Sequence, residues 1–333
     1  MTPAAIQPEL ERCPAVLDTR AALIREVASG LARPPKTLAP WMFYDAHGSR
    51  IFDRITTLSE YYPYRVECEM LHRFAPEILN RLRPDLRQAL RVFELGAGTA
   101  AKTGVLLETA MRCHGRVTYA PCDISPDALR LACASIEASW PTVELQPIVG
   151  NYVTEPPQLA RFKGTTLAIY IGSSIGNFSP GSARAILRNL RSQMHVGDAL
   201  LLGTDMVKDE EILLPAYDDR EGVTAEFNLN VLGRLNRELG ADFDLAGFRH
   251  CVRWNRADSR IEMHLESLRE QYVRIPEAGL LVHFAKCETI HTENSYKFTR
   301  GTLGALLQDA GFQIEHTWTD PLNWYALTLA GLR

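Results

Sequence analysis

The chain has 333 residues, of which 46% are hydrophobic and 23% charged, and its formal net charge is −4 at pH 7. These proportions are ordinary for a globular protein and give no indication of a nucleic acid or a membrane surface as partner. The length allows one large domain or two domains of ordinary size.

The cysteines and the N-terminus bear on the cellular compartment. The seven cysteines are scattered without a CxxC pair, which argues against a disulfide scaffold and against a zinc knuckle. The first residues lack the basic start and apolar stretch of a secretory signal, and no window approaches the roughly 20 apolar residues of a membrane span. We therefore expect a cytoplasmic protein.

The N-terminal part of the chain precedes any regular strand pattern. Residues 18–30 have the pattern of an amphipathic helix, and residues 41–67 mix aromatic and polar side chains without a clean period. We expect 41–67 to form a loop-rich lid or pocket wall. The alternative is a packed cap whose tyrosines only bury their rings.

A glycine-rich turn follows at 91–104. Gly96 and Gly98 come directly after an apolar run that ends in Glu94, and the absence of a Cβ lets a ligand approach the backbone closely. Ala100 stands where the dinucleotide-binding fingerprint prefers its third glycine. A turn without any ligand is the simpler alternative.

A second apolar run, 117–125, contains Asp123 near its end, where doubly wound sheets bind a ribose diol. NAD and S-adenosylmethionine both carry such a diol. A carboxylate at Glu94 would repel a pyrophosphate, whereas it would tolerate the sulfonium and ammonium of S-adenosylmethionine. We therefore interpret the region as a methyl-donor site.

The spacing of the apolar runs predicts the fold class. Runs at 91–98, 117–125, 143–152, 165–177 and 199–207 alternate with helix-like stretches, as in a parallel α/β sheet. The rhythm stops over 208–290 and returns with a helix at 301–310 and two strands joined by a short turn. This pattern predicts a Rossmann-like class I methyltransferase sheet with a C-terminal strand hairpin.

The interruption predicts a second domain. We expect residues 64–207 and 291–333 to form the S-adenosylmethionine-binding domain, and residues 12–63 and 208–290 to form an inserted α+β substrate-binding domain.

Polar residues follow the fourth predicted strand. Ligands of open α/β sheets bind at the carboxyl ends of the strands, so Gly172, Ser173, Ser174 and Asn177 should lie beside the methyl donor. The alternative is a simple turn in which Asn177 caps the next helix.

Two residues near the end of the irregular segment form a second polar group. Glu293 and Ser295 are two apart, so in an extended segment both side chains point to the same side. Together they can bind the N–H of an imidazole or an ammonium, or they form a surface pair. Met263, on an alternating segment, is more typical of a core than of a pocket.

A metal site is not expected. His283, Cys287 and His291 are four residues apart, but we predict a strand, a loop and a strand here rather than one helix face. No fourth ligand stands at a familiar spacing.

Several motifs together resemble one protein family. The resemblance covers the chain from about residue 40 to its end, and its motifs follow one another in the family's order. They are FYDAHGSRIF at 43–52, EYYPYR at 60–65, ELGAGT at 94–99, GSSIGN at 172–177, AYDD at 216–219, IEMHL at 261–265 and TENSYKF at 292–298. The family is the L-histidine Nα-methyltransferases of ergothioneine biosynthesis, which form hercynine.

The resemblance implies an enzyme that transfers three methyl groups from S-adenosylmethionine to the α-amine of L-histidine, without a metal. It places Gly96, Lys102 and Asp123 at the methyl donor, near Gly172. The family's adenine-side pair is Asp-Phe, whereas this chain has Asn151 and Tyr152. The Asn carbonyl can still accept a hydrogen bond from the adenine amino group, so we expect altered affinity rather than lost binding.

The resemblance also implies the histidine-binding residues and the residues that orient the amine. Asn177 and Tyr44 would act at the reacting centre. The histidine-binding positions correspond to Tyr61, Asn177, Tyr217, Glu293 and Ser295, with Met263 in the imidazole pocket.

No lysine or histidine in these motifs is an obvious general base, so we expect the amine proton to escape to water. We expect a monomer whose partner is a small molecule. The nearest alternative is a methyltransferase of the same fold acting on another amino acid or amine. A silent binding protein and an NAD-dependent oxidoreductase are further alternatives, and Glu94 and the strand hairpin disfavour the oxidoreductase.

Overall fold

The structure is a computed structural model that describes residues 19–82, 89–98, 100, 102–124, 126–153 and 155–332. Some predictions fall partly outside these ranges: residues 12–18 of the substrate-binding domain, the first residue of the helix at 18–30, and residues 99 and 125 beside the donor turn. None of the helices within the described ranges is long and apolar enough to cross a membrane.

Helices and strands alternate through the middle of the chain and again at its end. The helices of the described ranges are α1 (Thr19–Leu31), α2 (Ala46–Ile55), α3 (Tyr62–Arg81), α4 (Thr103–His114), α5 (Pro126–Ser139), α6 (Pro180–Arg191), α7 (Glu210–Leu213), α8 (Val223–Leu239) and α9 (Arg300–Ala310). The strands are β1 (Lys36–Thr37), β2 (Ala89–Leu95), β3 (Val117–Asp123), β4 (Glu144–Leu145), β5 (Ile148–Val149), β6 (Gly164–Tyr170), β7 (Ala199–Asp205), β8 (Phe248–Asn255), β9 (Arg260–Ser267), β10 (Gln271–Ile275), β11 (Leu280–Phe284), β12 (Thr289–Tyr296), β13 (Phe312–Thr319) and β14 (Tyr325–Leu332).

The larger sheet has the strand order β13-β14-β7-β6-β2-β3-β4, with β5 also paired to β3. The pairs β7–β6, β6–β2 and β2–β3 are parallel, whereas β14 is antiparallel to both β7 and β13. The predicted α/β sheet of the Rossmann-like methyltransferase type, with its C-terminal strand hairpin, is thereby confirmed. Its parallel strands end at one edge, which is where such sheets bind ligands.

One predicted strand is interrupted. The run at 143–152 forms the short strands β4 and β5 instead of one strand, and Pro147 lies between them. Proline has no backbone N–H to donate to a neighbouring strand, which accounts for the break.

The smaller sheet has the order β1-β12-β9-β8, and β10 and β11 form a separate hairpin. Its hydrophobic core combines residues from 23 to 62 with residues from 213 to 290. The clusters on the two faces of the larger sheet draw on residues from 70 to 206 and from 298 to 330. Because β12 pairs with β9 from Thr289 to Tyr296, residues 291–296 lie in the smaller sheet and not with the larger one, where the predicted boundary placed them.

The segment at 41–67 is helical, so the prediction of a loop-rich segment was wrong. It contains a 3-10 turn at Pro40–Phe43, then α2 and the start of α3. The Asp45 carboxylate accepts a hydrogen bond of 2.7 Å from the Gly48 N–H and so caps α2. Aromatic packing against α8, with the rings of Phe43 and Phe227 4.7 Å apart, obscured the helical period in the sequence.

Asn228 joins α8 to the smaller sheet. Its side chain is completely buried, and its Nδ2 lies 3.1 Å from the His264 carbonyl and 2.8 Å from His250 Nδ1. Its Oδ1 accepts a 2.8 Å hydrogen bond from the Thr292 hydroxyl on β12. The Asn228 amide therefore links helix α8 to three strands of the smaller sheet, at His250, His264 and Thr292.

We expect Asn228→Leu, which keeps the branched shape and the number of side-chain heavy atoms, to lower the free energy of unfolding by about 2–4 kcal/mol, because it leaves several buried polar groups without partners. Thr292→Val removes only one hydrogen-bond donor and should lower the free energy of unfolding by about 1 kcal/mol. Urea denaturation of the three proteins measures both effects, and equal midpoints would show that this amide does not hold the sheet.

Candidate active site

A cavity lies between the two sheets, beyond the carboxyl ends of β6 and β7. It contains every residue that we predicted to bind the substrate, together with Gly172, which we predicted to bind the methyl donor. Its lining consists of Tyr44, Phe52, Ile55, Tyr61, Pro63, Gly172, Ser173, Ser174, Asn177, Asp205, Ala216, Tyr217, Thr224, Phe227, Met263, Glu293 and Ser295.

Strand β12 presents Glu293 and Ser295 to the cavity, while Thr292, which directly precedes Glu293, points to Asn228 on the other face. This is the alternation that an extended segment imposes. Opposite Glu293 on β9 lies Met263, which is 2% exposed and also lines the cavity. Met263 is therefore both a core residue and a pocket residue.

The Glu293 carboxylate has no hydrogen-bond partner among the described residues, and it faces the cavity. Burial raises its pKa from 4.5 to about 7, and the charge of Lys297 acts in the opposite direction. A carboxylate that is only partly exposed and has no protein donor is poorly satisfied, so a ligand N–H would complete it.

Aromatic side chains form the wall opposite β12. The ring of Tyr61 meets those of Tyr217 and Phe52 edge to face, at centroid distances of 6.4 Å and 6.1 Å. The ring centroids of Tyr44 and Phe227 are 5.7 Å apart, and these two rings also meet edge to face. Loss of hydration around the phenol groups, reinforced by the charge of Glu293, raises the pKa of Tyr44 and Tyr61 well above the usual value for a phenol, although Tyr44 as a whole residue is 41% exposed. Both hydroxyls therefore keep their protons at neutral pH and can donate hydrogen bonds.

The turn after β6 carries Asn177 into the cavity. Ser173 has a φ of 55°, and its hydroxyl accepts a 2.9 Å hydrogen bond from the Asp205 N–H at the end of β7. A Cβ on Gly176 would lie 2.8 Å from the Tyr296 carbonyl, so the turn packs closely against the end of β12. Ser179 caps helix α6, so the alternative prediction that Asn177 caps this helix was wrong.

The predicted donor residues lie around the ends of β2 and β3. Gly96 has a φ of 67°, and a Cβ there would lie 2.9 Å from the Tyr152 hydroxyl. The Asp123 carboxylate accepts a 3.3 Å hydrogen bond from the Gly98 N–H. Asn151 Oδ1 accepts a 3.2 Å bond from the Val153 N–H, which starts a turn beside Tyr152. These residues come together, but they are separate from the cavity lining.

Lys102 connects the donor residues to the cavity. Its ammonium pairs with the completely buried Glu67, which sequence reasoning missed. Glu67 also accepts hydrogen bonds from the Gly172 N–H at 2.8 Å and from the Tyr325 hydroxyl at 2.6 Å. A Cβ on Gly172 would lie 3.1 Å from Lys102 Nζ. The two parts of the site therefore meet at Gly172.

Glu94, at the end of β2, has hydroxyl partners that the sequence did not predict. Its carboxylate is buried, and it accepts hydrogen bonds from the hydroxyls of Thr103, at 2.7 Å, and Tyr119. Burial raises its pKa to about 7. Glu94 therefore ties the start of α4 to β3. Its position relative to the charge of the methyl donor stays a prediction.

A second charged group that the sequence analysis missed is centred on Asp205, one of the residues that line the cavity. The Asp205 carboxylate, at the end of β7, contacts the ammonium groups of Lys208 and Lys297 at 2.5 Å and 2.7 Å. It also accepts a 2.9 Å hydrogen bond from the Tyr62 hydroxyl. Lys297 follows Ser295 by two residues within the motif TENSYKF. The same two-residue spacing that identified Glu293 and Ser295 could therefore have placed Lys297 on the same side of the chain.

The residues considered for a metal do not form a site. His283 Nε2 lies 3.1 Å from Glu270, whereas His291 Nε2 lies 3.0 Å from the Glu293 carbonyl. Across the described ranges, no group of three or more His, Cys, Asp and Glu side chains is arranged to hold a metal ion.

Comparison with known proteins agrees with this arrangement. Residues 23–332 match the model of a family described as histidine-specific, SAM-dependent methyltransferases. The histidine N-alpha-methyltransferase of Mycolicibacterium smegmatis is 42% identical over 309 residues, which cover 93% of this chain and 94% of that protein. The protein of the same name from Mycobacterium tuberculosis is 42% identical over 310 residues, with 93% and 94% covered.

A more distant relative is ergothioneine biosynthesis protein 1 of Schizosaccharomyces pombe, which is 28% identical over 293 residues, covering 86% of this chain and 37% of that protein. The family match extends over nearly all of the chain, and the two mycobacterial relatives are similar along almost their full length. The chain belongs to the histidine-specific, S-adenosylmethionine-dependent methyltransferases.

Proposed function

We propose that this protein transfers three methyl groups from S-adenosylmethionine to the α-amine of L-histidine and forms hercynine, in the first step of ergothioneine biosynthesis. The observation that carries the proposal is the Glu293 carboxylate, which faces the cavity without a partner among the described residues, beside the Ser295 hydroxyl. An imidazole offers one N–H donor and one acceptor nitrogen, which matches a carboxylate and a hydroxyl.

The donor residues fit S-adenosylmethionine. A Cβ on Gly98 would have no heavy atom within 4 Å, so the turn after β2 leaves open space at its backbone, and Asp123 stands at the end of β3, where a ribose diol is bound in such sheets. We assign the adenine end to Asn151 and Tyr152, and the region near the methionine part to Lys102 and Gly172. When bound, S-adenosylmethionine supplies an electrophilic methyl group on a sulfonium.

The cavity residues orient the acceptor. We assign the α-carboxylate of histidine to Asn177, Tyr61 and Tyr217, and the α-amine to Asn177 and Tyr44 at the boundary with the donor residues. Holding the amine lone pair in line with the methyl group can supply much of the rate enhancement. The tyrosine hydroxyls remain protonated, so they serve as donors and not as bases, and the amine proton leaves to water.

Retention of the partly methylated intermediates follows from the same contacts. Each methyl transfer removes an N–H from the amine, so hydrogen bonds to the amine weaken as the reaction proceeds. The carboxylate and imidazole contacts do not change, which allows the intermediate to stay in place for the next transfer.

The domain division is also a proposal. We assign residues 64–207 and 297–333 to the donor-binding domain, and residues 19–63 and 208–296 to the substrate-binding domain, with the second boundary moved to include β12. A cytoplasmic monomer stays a prediction.

The direct test is mass spectrometry of a reaction that contains the protein, S-adenosylmethionine and L-histidine. We expect a product heavier than histidine by three methylene increments, with a reaction lacking the donor as control. A product with fewer increments would contradict the retention argument. Methylation of a different amine, with histidine unmodified, would favour the alternative methyltransferase.

A second prediction concerns Glu293. We expect Glu293→Ala to weaken L-histidine binding on the order of 10- to 100-fold, because a hydrogen bond to a buried charged group is lost. Affinity for S-adenosylhomocysteine should not change. Glu266→Ala is the matched control, because this carboxylate pairs with the exposed Arg249 on the same sheet and lies outside the cavity. Unchanged histidine affinity in folded Glu293→Ala, measured by calorimetry, would remove Glu293 from imidazole recognition.

The raised pKa of Glu293 gives a dependence on pH. Its ionised form accepts the imidazole N–H, so histidine affinity should fall as the pH drops below about 7, and Glu293→Gln should flatten this decline. The free imidazole also titrates near pH 6.5, and comparison with the variant separates the two groups.

The ligand-free protein should show the opposite trend in stability. The folded state holds the Glu293 proton more tightly than the unfolded state, so this residue costs stability progressively as the pH rises from 4.5 to about 7. Glu293→Gln should therefore raise Tm at pH 8 and have little effect at pH 4. Equal Tm differences at both pH values would show that Glu293 does not titrate in this way.

A further inference from the structure

We propose that Lys297 is a positioning residue for the acceptor, whose buried ammonium fixes the hydroxyl pair of Tyr217 and Ser295 so that one hydroxyl hydrogen is donated toward the substrate. This inference rests on the proposed function and adds a residue to which neither the motifs nor the cavity lining assigns a role.

The geometry places Lys297 directly behind the cavity wall. Its side chain is completely buried, and its Nζ lies 2.7 Å from the Tyr217 hydroxyl and 2.8 Å from the Ser295 hydroxyl. The third contact of the ammonium is the Asp205 carboxylate at 2.7 Å. A lysine ammonium has three N–H donors, so these three contacts use its entire capacity.

The number of hydroxyl hydrogens then determines which hydrogen bonds Tyr217 and Ser295 can offer to a ligand. The Tyr217 and Ser295 oxygens lie 2.8 Å apart, so one hydroxyl donates to the other. Each oxygen also accepts an N–H from Lys297, because an ammonium can only donate. Two hydroxyl hydrogens are present and one is used within the pair. The remaining hydrogen points away from Lys297 and is available to an acceptor in the cavity.

This count gives the pair one donor for a hydrogen-bond acceptor in the cavity. The unprotonated ring nitrogen of imidazole is such an acceptor. Together with Glu293, which accepts a hydrogen bond, the pair recognises a ring with one donor and one acceptor nitrogen. Without Lys297 the hydroxyls can rotate, and the donor direction is lost.

The charge balance supports the same role. Asp205 is shared by Lys297 and Lys208, so one carboxylate faces two buried ammonium groups. Burial acts to raise the pKa of Asp205, but the two lysines hold it below its usual value. When Glu293 is ionised, two carboxylates face the two ammonium groups, so the charges around Lys297 are balanced and its ammonium can be kept in a buried position.

A buried lysine of the smaller sheet serves as a comparison. Lys36 is 5% exposed and pairs with Glu288, and it does not line the cavity. Replacing Lys36 therefore measures the cost of removing a buried lysine from the smaller sheet without a change at the site.

The experiment combines Lys297→Met with Ser295→Ala in a double-mutant cycle, using calorimetric titration of L-histidine in the presence of S-adenosylhomocysteine. Lys208 remains on Asp205 in Lys297→Met, so the carboxylate keeps a partner. We expect Lys297→Met to weaken histidine binding on the order of 10- to 100-fold, while S-adenosylhomocysteine affinity stays unchanged. Lys36→Met should leave both affinities unchanged.

The cycle separates positioning from a general structural effect. Ser295→Ala should weaken histidine binding about 5-fold in the wild-type background and less than about 2-fold beside Lys297→Met, because the hydroxyl is no longer oriented. Equal effects of Ser295→Ala in both backgrounds, or wild-type histidine affinity in Lys297→Met, would overturn the inference. Should Lys297→Met not bind S-adenosylhomocysteine and so prove misfolded, Lys297→Gln, which is uncharged but keeps an N–H donor, takes its place.

Failure of the proposed function gives a different result. If the wild-type protein does not bind L-histidine, the proposed function is wrong and this inference falls with it. If the wild-type protein binds histidine and the lysine variant binds it equally well, only the role of Lys297 is wrong.

Discussion

The site depends on one buried carboxylate at the end of a central strand. Asp205 accepts from Tyr62 at the start of α3 and contacts both Lys208 and Lys297, while its own N–H is bound by Ser173. Removing one member of a buried ion pair strongly destabilises a protein, because the charge of the other member stays buried without a partner. Four segments far apart in the chain therefore have fixed positions around the cavity.

A second carboxylate has the same function on the donor side. Glu67 accepts from Lys102, from the Gly172 N–H and from the Tyr325 hydroxyl, and so connects α3 with the donor turn, the turn after β6 and the last strand. The two networks stand on either side of the turn that carries Asn177. In the proposed reaction the methyl group and the amine meet at this turn, so the rigidity of both networks serves alignment.

The two sheets divide the chemistry of the proposed reaction. The larger sheet supplies the edge at which a nucleotide-like donor is bound, as parallel sheets generally do. The smaller sheet supplies Glu293 and Ser295 on one face of β12, and α8 holds that strand through Asn228 on its other face. Different acceptors can therefore be accommodated by changes in the smaller sheet, with the donor edge unaltered.

Much of the fold and the cavity lining was predictable from the sequence. The alternation of apolar runs determined the larger sheet and its hairpin, because buried parallel strands need continuous apolar segments. The glycine turn at Gly96 and the two-residue spacing of Glu293 and Ser295 are local features, and local geometry decides which side they face. The family motifs added Tyr44, Tyr61 and Tyr217, which the structure places in the same cavity.

The tertiary structure decided which charged groups face the ligand. Glu94 stands in the motif but is satisfied by Thr103 and Tyr119, whereas Glu293 has no partner among the described residues and lies open to the cavity. The partners of Lys297 come from β7, from the segment before α8 and from β12. No local pattern predicts such contacts, because the burial and the hydrogen-bond partners of a charged side chain depend on segments that are distant in the sequence.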